Sequence, residues 1–109
     1  MMSYKIKFDD LEWSHPFVGV KDKSYVQDGK KLRLVEYSKE MPPHWCEKGH
    51  YGIILEGTFE IEYGNETLTY HKGDGVFIPN GAEHKHRARV IGEKVTALLV
   101  EENSERNHE

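Results

Sequence analysis

The sequence predicts a single all-β domain, and three observations support this prediction. Apolar and polar residues alternate with a period of two over several short stretches, which is typical of half-buried strands. Glycine and proline turn signals separate these stretches about every 8–12 residues, the spacing found in sandwiches and barrels. No stretch of useful length has the periodicity of an amphipathic helix. The 109 residues are enough for one domain and too few for two.

The predicted strands can be placed in order along the chain. In residues 4–8, Tyr4, Ile6 and Phe8 alternate with lysines, which predicts a strand. Residues 9–23 are expected to form a loop with one short strand at 17–20. Asp28-Gly29 is a tight-turn signal and predicts a hairpin of residues 25–27 and 31–37. The remaining strands are predicted at residues 51–56, 58–63, 68–70, 76–78, 84–91 and 94–100.

Turn residues set the expected ends of these later strands. Gly57 ends one strand, Gly64-Asn65 makes a two-residue hairpin turn, and Gly92 separates the last two strands. Further turns are expected at residues 72–75 and 79–81. Residues 101–109 are polar and charged, so we expect a disordered tail after a domain that spans residues 1–100.

Composition limits the classes of partner. Apolar residues make up 37% of the chain, and its longest apolar runs are far too short to span a membrane. The first residues lack an apolar signal core, so the expected location is the cytoplasm. A formal net charge of −4 argues against a nucleic-acid partner, because phosphate binding needs a basic surface. We interpret the basic stripe Lys85, Arg87 and Arg89 as a solvated strand face.

Metal-capable side chains approach the first apolar strand of the second half of the chain. His44, Cys46 and His50 share one parity, so an extended backbone projects all three from one face. The prolines at 42 and 43 favour that extended backbone. Because Cys46 is the one cysteine of the chain, it cannot form an intrachain disulfide.

A second pair of histidines, His84 and His86, shares one face of a predicted strand about thirty residues later. Two strands that each present histidines inward predict one metal site closed by the fold. His86 lies two residues further along, so we interpret it as a substrate-facing catalytic base or a partner of a ligand. A buried core histidine is the alternative for His86.

The role of Cys46 stays open at this point. As a thiolate ligand it favours zinc or iron and completes a closed tetrahedral site, which suits a structural role. As a packed thiol it leaves three imidazoles around a metal with open positions for substrate. Glu47 is the other candidate ligand, through an oxygen, if the loop bulges.

The second histidine cluster resembles the second motif of the cupin superfamily. That motif has a glycine, five residues, Pro-x-Gly, two residues, a histidine and an asparagine four further on. This sequence has Gly73, Pro79, Gly81 and His84 in register, with Ala88 in place of the asparagine. The match is specific over twelve positions and is broken once.

The first cluster resembles the first cupin motif in frame but differs in content. His50 stands seven residues before Gly57, where that family has a glutamate, and His44 and Cys46 occupy its His-x-His positions. The resemblance implies an RmlC-like cupin, a double-stranded β-helix or jelly-roll barrel of two antiparallel sheets. Together with the shared inward parity, it also implies a divalent transition metal such as Fe, Zn, Ni or Mn, with His44, His50 and His84 as its ligands.

Three functions remain possible from the sequence. The first is an enzyme that acts on a small molecule at an open three-histidine metal, for which the resemblance implies a dioxygenase, isomerase or lyase. The second is a barrel that binds a small-molecule ligand or acts as a sensor without catalysis. The third is a structural zinc site closed by Cys46. We also expect a homodimer, because the strand at residues 4–8, Trp13 and Trp45 can cover the open sheet edges.

Overall fold

Antiparallel β-strands make up most of the described chain, which confirms the all-β prediction. The structure, a computed structural model, describes residues 2–103. Its strands are β1 (Ser14–Phe17), β2 (Val20–Gln27), β3 (Lys30–Ser38), β4 (His50–Glu62), β5 (Thr67–Tyr70), β6 (Gly75–Ile78) and β7 (Arg87–Glu102). Two 3₁₀ turns, Phe8–Asp10 and Ala82–His84, complete the regular structure of this part. No helix among these residues has the length and apolar character needed to cross a membrane.

The strands pair into one connected sheet with β7 near its middle. The order is β1-β2-β3-β7-β4-β5, and β6 pairs with the first part of β4. All pairings are antiparallel. Within residues 2–103 this path does not close on itself, so β7 is the element that joins the first three strands to the rest.

The first hairpin forms where the turn signal predicts it. Strands β2 and β3 pair from Val20 with Tyr37 to Gln27 with Lys30. Between them, Asp28 and Gly29 both have positive φ, of 54° and 74°. Two left-handed residues are what a tight hairpin turn of the type I′ class needs, and Asp-Gly supplies them readily.

Two predicted strand ends are wrong, because β4 and β7 each continue through a glycine. Gly57 and Gly92 have φ of 89° and 97°, and β4 shifts register against β7 between Ile54 and Thr58. A glycine in this conformation bends a strand through a bulge without ending its pairing. The two long strands also lie side by side and pair with each other along most of their length.

Both ends of the chain differ from the predictions. Residues 4–8 form no strand: Tyr4 is 95% exposed, and the backbone of Ser3 hydrogen-bonds the Gln27 side chain. At the other end, β7 continues to Glu102, two residues past the end predicted for the last strand. Glu101 is buried because it pairs with charged groups inside the sheet. The rest of the predicted tail, residues 104–109, lies outside the described residues.

Inward-facing residues of alternating parity build one apolar core. The buried residues are Val20, Val35, Met41, Ile54, Phe59, Ile61, Val76, Ile78, Val90, Val95, Ala97 and Leu99. They come from β2, β3, β4, β6 and β7 and from the loop that follows β3. Burial of this set supplies the main driving force for folding. Most of its members also line the cavity described next.

Candidate functional site

A cavity of about 220 Å³ opens on the inner side of the sheet. Its wall is mostly apolar and includes Ile54, Phe59, Ile61, Ile78 and Leu99. Ligand pockets usually enclose roughly 300–1,000 Å³, so this volume limits an occupant to a small molecule. The apolar wall favours a molecule whose surface is largely apolar.

Three histidines and the cysteine line this cavity: His44, Cys46, His50 and His86. His50 is the first residue of β4, whereas His44 precedes it in the exposed segment after Pro43. Cys46 and His86 form an isolated bridge in which each backbone N–H donates to the carbonyl of the other residue at 2.9 Å. This bridge ties the two histidine-bearing segments together across about forty residues of sequence.

Each of the three imidazoles has its Nδ1 next to a fixed oxygen. Nδ1 of His44 lies 3.3 Å from Pro42 O, and Nδ1 of His50 lies 2.7 Å from Glu101 Oε2. Nδ1 of His86 lies 3.1 Å from His84 O. Because carbonyl and carboxylate oxygens only accept hydrogen bonds, Nδ1 is the donor in a neutral ring and Nε2 keeps its lone pair. Metal-binding histidines are typically held in this way.

An ionic network lies behind His50. Arg33 Nε is 2.8 Å from Asp22 Oδ2, and Arg33 Nη1 is 2.7 Å from Glu101 Oε2, the oxygen that also accepts from His50. Asp22 and Glu101 are 6% and 2% exposed. Two carboxylates against one guanidinium leave one negative charge in excess, which favours a positive group beside His50.

The network determines the protonation of its members. Burial alone would raise the pKa of Glu101, but the hydrogen bond from His50 and the charge of Arg33 outweigh it and lower that pKa to about 2. Burial also lowers the pKa of Arg33, but the surrounding groups, of which Tyr37 and Glu101 have the largest effects, raise that pKa above its ordinary value. Both groups are therefore ionised at neutral pH.

His86 is the most buried of the three imidazoles, with 5% of its surface exposed. Burial lowers its pKa, and the neighbouring His50 and His44 lower it further, against the effect of its hydrogen bond to the His84 carbonyl. Its ring lies 5.4 Å from that of His50, centroid to centroid, in an edge-to-face arrangement. A neutral ring of this kind has a lone pair that a ligand can use.

The structure brings His44, Cys46, His50 and His86 to one cavity, and it does not bring His84 or Glu47 there. His84 ends the 3₁₀ turn Ala82–His84 that follows Gly81, whose φ is 128°. This turn interrupts the extended parity on which the prediction for His84 rests. Glu47 is exposed on the surface, although its carbonyl accepts a hydrogen bond from Gly81 N.

The side chains that line the cavity have the chemistry of ligands for a divalent transition metal, and the distance between two of them also fits one. Imidazole is a suitable ligand for zinc, copper, iron and nickel. Two imidazoles that bind one ion with metal–nitrogen distances of ~2 Å have ring centroids about 5 Å apart. The His50–His86 spacing is close to this value. Among residues 2–103, however, no three His, Cys, Asp or Glu side chains are arranged so that they could hold a metal ion. Binding of an ion by three of these donors would require His44 or Cys46 to move toward this pair.

Sequence reasoning missed the charged network behind His50. A signal for it exists, because Asp22 has the parity of buried Val20 and Arg33 has the parity of buried Val35. A charged residue on the apolar face of a strand indicates either a partner or a site. Glu101 has the same parity as Val95, Ala97 and Leu99, but its position in a polar segment hides it.

Comparison with known proteins gives a family match. A family model for the cupin domain matches residues 31–100. Among solved structures, the polyketide cyclase RemF from Streptomyces resistomycificus is 22% identical with a TM-score of 0.72, covering 94% of this chain and 80% of that one. No curated protein matches the chain.

Two further structures share the fold at lower identity. An RmlC-like cupin from Shewanella frigidimarina is 13% identical with a TM-score of 0.72 and covers 94% of this chain and 92% of its own. The hydroxypropylphosphonic acid epoxidase from S. wedmorenis is 12% identical with a TM-score of 0.73, over 88% of this chain and 57% of that one. At these identities the similarity establishes the fold and leaves the activity open.

Proposed function

Because the chain belongs to the cupin family, we propose that it binds a small, largely apolar molecule beside a divalent transition metal held by His44, His50 and His86. The observation that carries this proposal is the anchoring of all three rings through Nδ1 around one cavity. The excess negative charge of the ionic network behind His50 also favours a bound cation. His86 takes the ligand role that the sequence assigns to His84, because His86 lines the cavity.

The activity we propose is that of an enzyme of the dioxygenase, isomerase or lyase type. A bound divalent ion supplies a Lewis acid for a carbonyl or hydroxyl oxygen of the substrate. The apolar wall holds the remainder of the substrate and excludes water from the imidazole end. We further propose that the bent strands β4 and β7 divide the sheet into the two layers of a cupin barrel around this cavity.

Cys46 decides between an open and a closed version of the proposed site. It lines the cavity and is half-buried, so its sulfur is available as a fourth donor. Four protein donors would close the site and favour a structural zinc, whereas three would leave positions for substrate. The mostly apolar cavity beside the histidines favours the open version, because a closed structural site needs no such space.

Cobalt binding tests the proposal directly. We expect the metal-stripped protein to take up one Co²⁺ per chain and to give a five- or six-coordinate spectrum without a thiolate charge-transfer band. A tetrahedral spectrum with that band would support the closed site instead. A His15→Ala variant serves as control, because His15 lies on β1 outside the cavity lining. Absence of stoichiometric uptake by the wild-type protein would reject the metal part of the proposal.

We also propose that the protein is a homodimer that pairs through an outer apolar face of the sheet. This outer apolar face consists of Leu32, Leu34, Tyr51, Ile53, Phe77, Leu98 and Val100. They alternate with buried residues of β3, β4, β6 and β7 and form two cross-strand rows, in which Ile53 pairs with Leu98 and Tyr51 with Phe77. Phe77 is 78% exposed. Residues 104–109 contain no apolar side chain that could cover this face, whereas a second copy carries a matching one.

Charges placed on the outer apolar face are expected to separate the dimer. The double variant Ile53→Glu, Phe77→Glu should have the 12.7 kDa mass of one chain in light scattering at tens of micromolar, where the wild type has twice that mass. Buried like charges across a two-fold axis repel and lose hydration. Val26→Glu, at an exposed position on β2, is the matched control and should remain dimeric. A monomeric wild type would contradict the proposal.

A further inference from the structure

Glu101 is a charged side chain in an inward row of β7 that is otherwise apolar. The other inward residues of this end of β7 are Val95, Ala97 and Leu99, and all are buried. Glu101 continues their parity and is itself 2% exposed. Its carboxylate is held in the interior by contacts with Arg33 and His50.

Stability alone does not explain this carboxylate. Replacement of a buried ion pair with well-packed apolar residues is often neutral or stabilising. An inward Leu at position 101 would continue the apolar row of β7. The charged group therefore points to a role in the cavity that an apolar residue cannot fill.

The contacts of Glu101 define what that role is. One oxygen, Oε2, lies 2.7 Å from both His50 Nδ1 and Arg33 Nη1. The His50 contact fixes the plane of the imidazole and places the proton of a neutral ring on Nδ1. The ring nitrogen that remains, Nε2, then has a lone pair for a ligand in the cavity.

Arg33 and Asp22 hold the carboxylate in turn. Arg33 is gripped at Nε by Asp22 on β2, which leaves Nη1 directed at Glu101. The two contacts join β2, β3 and β7 and involve side chains that are largely buried. The Glu101 oxygen that accepts from His50 is thus also held by Arg33, which restrains the carboxylate beside the ring.

We propose that Glu101 is a positioning residue that keeps His50 in the Nδ1-protonated form, with Nε2 free to bind in the cavity, and that Arg33 and Asp22 hold Glu101 in place. The tautomer part follows from the contacts alone. The consequence for metal affinity rests on the proposed function.

The tautomer of His50 provides the first test. In ¹⁵N-histidine-labelled, metal-free protein, at a pH where the ring is neutral, long-range ¹H–¹⁵N spectra should show His50 protonated at Nδ1. Glu101→Met removes the acceptor and should shift His50 toward the Nε2-protonated form. It leaves Arg33 paired one-to-one with Asp22, so no buried charge is left without a partner. Glu101→Gln keeps an acceptor oxygen and should keep the wild-type tautomer.

Cobalt affinity provides the second test. Loss of the hydrogen-bond partner of a ligating histidine typically weakens metal binding ~10–100-fold, and we expect a loss of this size for Glu101→Met. Glu102→Met, at the exposed neighbouring position, should leave both the tautomer and the affinity unchanged. This control separates the contact with His50 from a general effect on the end of β7.

The outcomes are distinguishable. Wild-type His50 protonated at Nε2, or an unchanged tautomer in a folded Glu101→Met, would overturn the inference. If Glu101→Met does not fold, the tautomer of His50 measured in the wild-type protein is the test of the inference. If the wild type binds no cobalt but carries the proton on Nδ1, the proposed metal fails while the positioning role of Glu101 stands.

Discussion

Replacing His86 with alanine is expected to abolish metal binding, whereas replacing His84 should leave the affinity within about twofold of the wild type. His86 lines the cavity and its ring lies 5.4 Å from that of His50, while His84 sits in a 3₁₀ turn outside the cavity lining. Removal of one of the three ligating imidazole nitrogens leaves too few donors to hold a divalent transition metal in competition with water. The loss should exceed the ~10–100-fold effect of removing a hydrogen-bond partner.

Metal stoichiometry after dialysis, measured by elemental analysis, separates the two variants. His84 supplies a backbone carbonyl to His86 Nδ1, and alanine retains that carbonyl, so the His84→Ala variant is a matched control two residues away. The cupin motif assigns the ligand role to the histidine at position 84. Loss of metal from the His84 variant with retention in the His86 variant would therefore restore the assignment from the motif and reject ours.

Replacing Gly52 with alanine is expected to prevent folding. Gly52 lies in β4 opposite Leu99 of β7, and a methyl group there would overlap the backbone carbonyl of Leu98. The obstacle is backbone, so β4 and β7 would have to separate along their most extensive pairing. Effects above about 4 kcal/mol are exceptional for single substitutions, and we expect this one to belong to that class.

Circular dichroism and urea unfolding measure this effect. Gly64→Ala is the matched control, because nothing lies within 4 Å of an added carbon at that turn position. The control should stay within about 1 kcal/mol of the wild type, as surface substitutions usually do. A Gly52→Ala protein with wild-type stability would contradict the register between β4 and β7.

Local signals in the sequence predict the hairpins and the inward parity before His50 correctly. Asp28-Gly29 and Gly64-Asn65 form turns because their conformational preferences act within a few residues. His44, Cys46 and His50 line one cavity, as their shared parity predicts. Whether they bind a metal together stays a prediction.

The errors arise where longer-range packing decides the outcome. His84 lies outside the cavity lining and His86 within it, because a 3₁₀ turn breaks the period-two pattern between Gly81 and β7. Gly57 and Gly92 mark bends because β7 continues to pair on both sides of them. The burial of Glu101 depends on Arg33, 68 positions earlier in the chain, and no local pattern contains that contact.

The position of β7 in the sheet also has a consequence for biosynthesis. It lies between β3 and β4, so it pairs with both, yet a ribosome makes it after the six other described strands. Until β7 emerges, β1–β3 and β4–β6 are two separate groups whose edges lack the strand that joins them. Unpaired strand edges of this kind invite association with other chains. We therefore expect the nascent chain to need protection from aggregation until its last described strand has left the exit tunnel.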